Sequence, residues 1–175
     1  MWTVVALDVS LSMPMHDYWM AAHQDAVALV EKLQDPEGPD HLRAVIAFSE
    51  VARTIEIADL ASLTWDYMYG SNIAAALHLA LAELDGEPGR VVILSDMKAT
   101  AHITDDGDAF FSYPPAPETA RRTVQALDDC LSARTQLEVR RYRPESIEGE
   151  SGVNALIREV TRRGGHVTEV VLPAT

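Results

Sequence analysis

The chain has 175 residues, of which 47% are hydrophobic, one cysteine, and a formal net charge of −13 at pH 7. This length and apolar fraction are typical of one folded domain over residues 1–175, and they exclude wholesale disorder. The negative charge argues against a nucleic-acid backbone or an anionic membrane as the partner, and a lone cysteine excludes a disulfide framework and a multi-cysteine zinc site.

The first predicted element is a buried strand that ends in polar residues. Residues 4–7 form an unbroken apolar run, which is typical of a strand covered on both faces in a parallel sheet. Asp8 follows the run, with hydroxyls at Ser10 and Ser12. Open α/β sheets bind ligands beyond the carboxyl ends of their strands, and oxygen atoms are the ligands that Mg²⁺ or Ca²⁺ prefers. The alternative is that Asp8 caps a helix and the serines satisfy turn backbone.

A helix and a strand pair are predicted next. Apolar residues at spacings of three and four indicate a helix over residues 18–33. Residues 43–48 and 51–57 are predicted as strands, and the two-residue break between them indicates a hairpin at an antiparallel edge of the sheet. The aromatic residues of the following loop, residues 58–69, are expected to pack that loop down.

The middle of the chain repeats the pattern of the first strand. An alanine-rich helix begins after Ser71 and Asn72, one of which is its cap. Residues 90–95 then form another buried strand, and Asp96 follows its end. If the two buried strands are neighbours, Asp8, Ser71 and Asp96 converge at one edge of the sheet. This convergence favours a metal site over helix caps.

The rest of the chain completes an α/β pattern. Residues 97–117 are predicted as a long loop, in which Phe110, Phe111 and Tyr113 are expected to pack rather than form a docking patch. Two helices and two strands follow, over residues 118–131, 136–141, 153–163 and 166–172. The order β-α-β-β-α-β-α-β-α-β predicts a mainly parallel sheet.

Targeting segments are not expected in this sequence. No apolar run approaches the roughly 18 residues of a membrane span. The first apolar run is too short for a signal peptide, and no basic region precedes it. We therefore expect a cytoplasmic protein that contacts neither membrane nor nucleic acid.

Three loops of this pattern resemble those of the von Willebrand factor A (vWA) family. Asp8-Val9-Ser10-Leu11-Ser12 has the D-x-S-x-S form, Ser71 stands where the second loop usually has threonine, and Asp96 stands where the third loop has aspartate. The resemblance covers nearly the whole chain. It implies a Rossmann-like three-layer α/β sandwich with a mainly parallel sheet and one antiparallel edge strand.

The resemblance also implies a metal-ion-dependent adhesion site (MIDAS). Its ligands would be the hydroxyls of Ser10, Ser12 and Ser71, with Asp8 and Asp96 binding directly or through water. The ion would be Mg²⁺, with Ca²⁺ or Mn²⁺ as alternatives, and it would leave a position for an acidic residue of a protein partner.

A narrower similarity indicates the type of partner. Four stretches resemble intracellular bacterial vWA proteins, namely Phe48-Ser, Trp65-Asp-Tyr, Ala99-Thr-Ala-His-Ile and Phe110-Phe-Ser-Tyr-Pro-Pro. Those proteins work beside MoxR-type AAA+ ATPases or in chelatase-like systems. The resemblance therefore implies a non-enzymatic, Mg²⁺-dependent protein-interaction module, such as a substrate adaptor for an AAA+ ATPase.

Met97 and Lys98 depart from the family's pattern, in which glycine and glutamate commonly follow the third-loop aspartate. Lys98 either lowers ion affinity by repulsion or reaches across to pair with Asp8 or Asp96. A structural scaffold whose metal site has decayed is therefore one alternative function.

A phosphotransfer enzyme of the haloacid-dehalogenase type is the other alternative. Its nucleophile would be Asp8, with Ser95, Lys98 and Asp105-Asp106 in supporting roles. Such enzymes need a second carboxylate two residues after the nucleophile as acid and base, and Ser10 does not serve that role near neutral pH.

Overall fold

A central sheet with helices on both faces organises the chain. The computed structural model describes residues 1–132 and 134–173; Ala133, Ala174 and Thr175, all within the predicted domain over residues 1–175, lie outside the described residues. No helix among the described residues is both long and apolar enough to cross a membrane. The strands are β1 (Trp2–Asp8), β2 (His41–Phe48), β3 (Ala52–Ile55), β4 (Gly89–Ser95), β5 (Ala101–Ile103), β6 (Ala109–Phe111), β7 (Thr135–Pro144) and β8 (His166–Leu172). The helices are α1 (Ser12–Met15), α2 (Trp19–Leu33), α3 (Ile73–Leu84), α4 (Pro117–Ser132) and α5 (Ser151–Arg162).

The strand order places β1 and β4 side by side in the middle of the sheet. The order is β3-β2-β1-β4-β7-β8, and every neighbouring pair is parallel except β2 with β3. The predicted α/β sandwich, with a mainly parallel sheet and one antiparallel edge strand, is confirmed. Because β1 and β4 are parallel neighbours in register, with Leu7 opposite Leu94, the residues that follow them emerge at the same edge.

The apolar run of β1 contributes to both faces of the sheet. Val4 and Ala6 belong to the core under α3, α4 and α5, whereas Val5 and Leu7 belong to the core under α2. All four side chains are fully buried. Since successive residues of a strand point to opposite faces, only a strand covered on both sides needs such an unbroken run.

The segment after Asp96 is more ordered than predicted. Residues 97–117 were expected to be one long loop, but β5 and β6 pair within it as an antiparallel hairpin. Each of these strands has three residues, too few for an alternating pattern to be recognised in the sequence. Phe110, Phe111 and Tyr113 are all exposed. Phe110 and Phe111 nevertheless pack against the rings of His102 and Tyr69, so the expectation of packing was wrong only for Tyr113, which is 77% exposed.

We expect two glycine-to-alanine substitutions to have opposite effects on stability. A Cβ atom at Gly89 would lie 2.9 Å from the carbonyl oxygen of Trp2 on β1, so G89A should lower the free energy of unfolding by about 1–3 kcal/mol. A Cβ atom at Gly152, on α5, meets nothing within 4 Å, so G152A should raise it by up to about 1 kcal/mol. Urea denaturation measures both, and equal effects would contradict the packing of β4 against β1.

Candidate metal centre

The five predicted metal-binding residues come together at the carboxyl edge of β1 and β4. Asp8, Ser10, Ser71 and Asp96 are each at most 1% exposed, and Ser12 is partly buried. Hydrogen bonds connect Asp8 to Ser10 and Ser71, and Ser10 to Ser12. We call these five residues, Asp8, Ser10, Ser12, Ser71 and Asp96, the oxygen cluster.

Asp8 is the hydrogen-bonding centre of the oxygen cluster. Its Oδ1 accepts a hydrogen bond from the backbone N–H of Ser10 at 2.9 Å. Its Oδ2 accepts from the hydroxyls of Ser71 at 2.9 Å and Ser95 at 2.6 Å. Ser95 was not among the predicted metal-binding residues, although its position at the end of a buried strand beside β1 was a usable signal.

The loop before α3 leaves the Ser71 hydroxyl free for Asp8. Asn72, not Ser71, is the cap of α3, since its side-chain oxygen accepts from the N–H of Ala75 at 2.9 Å. Ser71 is fixed instead through its backbone, because its N–H donates to the hydroxyl of Thr100 at 3.0 Å and its carbonyl accepts from the N–H of Thr100 at 3.1 Å. Thr100 therefore supports the oxygen cluster; its stretch was noted for the family resemblance, but Thr100 was not among the predicted site residues.

Two features of the oxygen cluster fit a divalent cation. The hydroxyl oxygens of Ser10 and Ser12 are 3.0 Å apart, and adjacent ligands of an octahedral Mg²⁺ are about 3 Å apart. Oδ2 of Asp96 is buried and has no hydrogen-bond partner among the described residues. A buried carboxylate oxygen without a donor is costly unless a cation is near it. Residue type, spacing and the unpaired oxygen therefore suit an oxygen-ligated ion.

Two carboxylates lie close together in the oxygen cluster. Burial, and then the charge of Asp96, raise the pKa of Asp8 from 3.8 to about 6, although hydrogen bonds from Ser10 and Ser95 oppose the shift. A like charge in a low-dielectric site disfavours ionisation of a neighbouring carboxyl group, here that of Asp8. A bound cation would relieve the same repulsion.

Lys98 pairs with neither Asp8 nor Asp96, so of the two alternatives stated for Lys98 the pairing was wrong. Its ammonium lies 3.9 Å from a carboxylate oxygen of Glu150. The backbone explains the difference: Met97 has a left-handed φ of 61° and is fully buried, and the N–H of Lys98 donates to Oδ1 of Asp96 at 3.2 Å. The turn thus presents the backbone of Lys98, rather than its side chain, to Asp96.

The structure does not bring together the groups that the phosphotransfer alternative requires. Asp105 and Asp106 lie on the turn between β5 and β6. The side chain of Asp105 is 95% exposed and is bound by Arg122 of α4 at 2.7 Å. Among the groups assigned to that reaction, only Ser95 contacts Asp8.

Exposed aromatic and methionine side chains lie beside the oxygen cluster. The N–H of Leu11 donates to the carbonyl of Met68 at 2.9 Å, which fixes the loop of residues 58–69 against the D-x-S-x-S turn. Tyr69 stacks on Phe111 with ring centroids 6.3 Å apart. Tyr67 is 87% exposed, so the expectation that this loop's aromatics pack inside was wrong for Tyr67. We call the exposed set the aromatic rim: Tyr67, Met68, Tyr69, Phe110, Phe111 and Tyr113.

Comparison with known proteins identifies the family. A family model described as "Rv0959-like protein, vWA domain" matches residues 2–174. The chain belongs to this vWA family. Uncharacterized protein Rv0959 of Mycobacterium tuberculosis is 34% identical over 164 residues, which cover 90% of this chain. The match covers 24% of that relative, so the chain spans about a quarter of its length.

Solved structures share the vWA fold at low sequence identity. The D319A mutant of the PilB minor pilin from Streptococcus sanguinis superposes with a TM-score of 0.74 at 13% identity, over 98% of this chain and 57% of that one. Proximal thread matrix protein 1 from the mussel byssus, with a zinc-occupied MIDAS motif, superposes with a TM-score of 0.53 at 14% identity, over 81% of this chain and 35% of that one. At these identities the likenesses show the fold alone.

Replacing Asp8 by asparagine should stabilise the protein when chelator removes divalent ions. Because the folded pKa of Asp8 lies above its unfolded value, wild-type stability falls as pH rises from about 4 to 6. Asparagine keeps the side-chain shape without the charge: its Oδ1 can accept from the Ser10 N–H, and its amide N–H groups can donate to the Ser71 and Ser95 hydroxyls once these rotate. D8N should therefore be more stable by about 1–3 kcal/mol near pH 7.

Urea denaturation in EDTA at several pH values measures this effect. The advantage of D8N should shrink as the pH falls from about 6, and it should be smallest below the unfolded pKa of 3.8, where Asp8 is protonated in both states of the wild type. D106N, at an exposed aspartate of the β5–β6 turn, is the control and should have little effect. An advantage of D8N that does not change with pH would contradict the buried, like-charged environment of Asp8.

Proposed function

We propose that this vWA domain is a Mg²⁺-dependent protein-interaction module that binds an acidic residue of a partner at a MIDAS. One observation carries the proposal: Oδ2 of Asp96 is buried without a hydrogen-bond partner among the described residues, in a cluster with three serine hydroxyls. An oxygen-only donor set favours Mg²⁺, Ca²⁺ or Mn²⁺ over metals that prefer nitrogen and sulfur.

The residues of the oxygen cluster have distinct proposed roles. Ser10, Ser12 and Ser71 offer hydroxyl oxygens, and Asp96 offers its unpaired carboxylate oxygen. The two oxygens of Asp8 already accept three hydrogen bonds, so its proposed roles are to orient Ser71 and to neutralise part of the charge of the ion. The ion supplies a local positive charge on a protein of net charge −13, to which a partner's carboxylate is attracted.

The aromatic rim supports a protein as the partner. Tyrosine, phenylalanine and methionine are enriched at protein–protein interfaces, where they provide large contact areas. Tyr67 and Tyr113 are 87% and 77% exposed, far more than the packing of a loop requires. An acidic residue flanked by apolar residues is therefore the recognition element that we propose for the partner.

The wider assignment rests on resemblance. We propose a cytoplasmic role beside a MoxR-type AAA+ ATPase, as in the intracellular bacterial proteins whose motifs this sequence resembles. The mussel protein's MIDAS is occupied by zinc, so Zn²⁺ is the competing ion to test. Since the match covers only 24% of the mycobacterial relative, the activity of a whole protein of that size is a separate question.

Selection from a random peptide library in Mg²⁺ and in EDTA tests the proposal. Peptides selected in Mg²⁺ should contain aspartate or glutamate next to apolar residues, and their binding should be lost in EDTA. S12A removes a proposed ligand and should abolish binding, whereas S62A removes an exposed hydroxyl that donates to the carbonyl of Asp59 and should not.

Three results would contradict the proposal. Equal peptide affinity in Mg²⁺ and in EDTA would favour the alternative function, a structural scaffold whose metal site has decayed. Equal affinity of S12A and S62A would remove the oxygen cluster from binding. Mg²⁺-dependent hydrolysis of an aryl phosphate that D8N abolishes would favour the phosphotransfer enzyme instead.

A further inference from the structure

A row of charged side chains extends from the oxygen cluster to the last helix. The ammonium of Lys98 lies 3.9 Å from Oε1 of Glu150, and Oε2 of Glu150 accepts from Nη2 of Arg141 at 2.7 Å. The exposed fractions of these side chains are 22%, 14% and 3%, in the same order. Charges that are this shielded interact more strongly than charges on an open surface.

Glu150 is fixed from the side of Arg141. Arg141 lies on β7 opposite Ser95, the last residue of β4, and its Nη1 donates to the side-chain oxygen of Asn154 on α5 at 2.9 Å. Glu150 stands at the N-cap position of α5 but makes no side-chain capping bond. Its carboxylate is bound by Arg141 and faces Lys98 instead.

The backbone keeps Lys98 close to Asp96, and one carboxylate oxygen of Asp96 accepts no hydrogen bond from the described residues. Only Met97 separates it from Asp96, and its backbone N–H donates to Oδ1 of Asp96. Oδ2 of Asp96 has no hydrogen-bond partner among the described residues. An ammonium and a divalent ion would both satisfy that oxygen, but they would repel each other at the same place.

We propose that Glu150 is a positioning residue that keeps the ammonium of Lys98 away from Asp96, so that a divalent ion can bind there. The inference rests on the proposed function, because it assumes that the oxygen cluster binds a divalent ion. Glu150 then compensates for the lysine at position 98, where the family commonly has glutamate. The Lys98 ammonium is compatible with metal binding at Asp96 as long as it is paired with Glu150. Without the Glu150 charge, Lys98 becomes an internal competitor of the ion.

Four proteins test the inference by calorimetric titration with Mg²⁺: the wild type, E150Q, K98M and the double variant. E150Q should weaken Mg²⁺ binding on the order of tenfold or more, because Lys98 then pairs with Asp96. In the K98M background the same E150Q substitution should change the affinity by less than about threefold, since no competing ammonium remains.

The outcomes separate the inference from the proposed function. Equal weakening by E150Q in both backgrounds overturns the inference, since Glu150 would then act on the ion without Lys98. Unchanged affinity in E150Q overturns it as well, while Mg²⁺ binding by the wild type still supports the proposed function. Absence of Mg²⁺ binding in all four proteins overturns both. Mg²⁺ binding by K98M but not by the wild type would mean that Lys98 occupies the site at Asp96 even when Glu150 is present. This result also overturns the inference.

A conservative variant and a structural readout guard against misfolding. E150Q also loses an ionic partner of Arg141, so E150D, which keeps the charge on a shorter side chain, is the second variant. E150D should weaken Mg²⁺ binding less than E150Q does. In the K98M background, neither substitution at Glu150 should weaken Mg²⁺ binding appreciably. In crystals of E150Q grown with EDTA, the Lys98 ammonium should lie within hydrogen-bond distance of Oδ2 of Asp96; an unmoved ammonium would overturn the inference.

Discussion

The buried carboxylate of Asp8 joins segments that lie far apart in the chain. Its Oδ2 accepts from Ser71 and Ser95, which are 63 and 87 residues away in the sequence. Burial of this charge beside Asp96 raises the pKa of Asp8 to about 6. The folded protein therefore contains a carboxylate whose ionised form is destabilised, at the carboxyl edge of the sheet. Carboxyl groups with perturbed pKa values are concentrated at functional sites.

The sheet makes this arrangement possible. Because β1 and β4 are parallel neighbours, their carboxyl ends deliver Asp8 and Asp96 to one edge, and the loop before α3 brings Ser71 to the same place. The strands β2 and β7 flank β1 and β4 in the sheet, and residues 44–48 of β2 are buried beside this edge. The surrounding loops and strand β6 bear the aromatic rim, and the Lys98–Glu150 pair lies beside the same edge. A buried acidic centre with an exposed aromatic border is the arrangement on which we base the proposed metal-assisted recognition of another protein.

Much of this was predictable where the sequence carries a periodic or local signal. The apolar runs of β1 and β4 indicated buried parallel strands, and the polar residues after them indicated the edge where the oxygen cluster lies. The β5–β6 hairpin was missed because strands of three residues have no readable period. The partner of Lys98 was missed because Glu150 is held beside it by an ion pair with Arg141 of β7, a contact that local spacing does not encode. Ser71 and Asn72 were equivalent as caps in the sequence, and only the backbone geometry assigned the cap to Asn72.

Anomalous diffraction from crystals soaked with Mn²⁺, an ion that accepts the same oxygen ligands as Mg²⁺, tests the central claim most directly. The account predicts one strong anomalous peak within coordination distance of the Ser10, Ser12 and Ser71 hydroxyls and Oδ2 of Asp96. Lys98 should remain beside Glu150 in the same crystals. A map with no peak there, or with the Lys98 ammonium in contact with Asp96, would contradict a metal-dependent function for this domain.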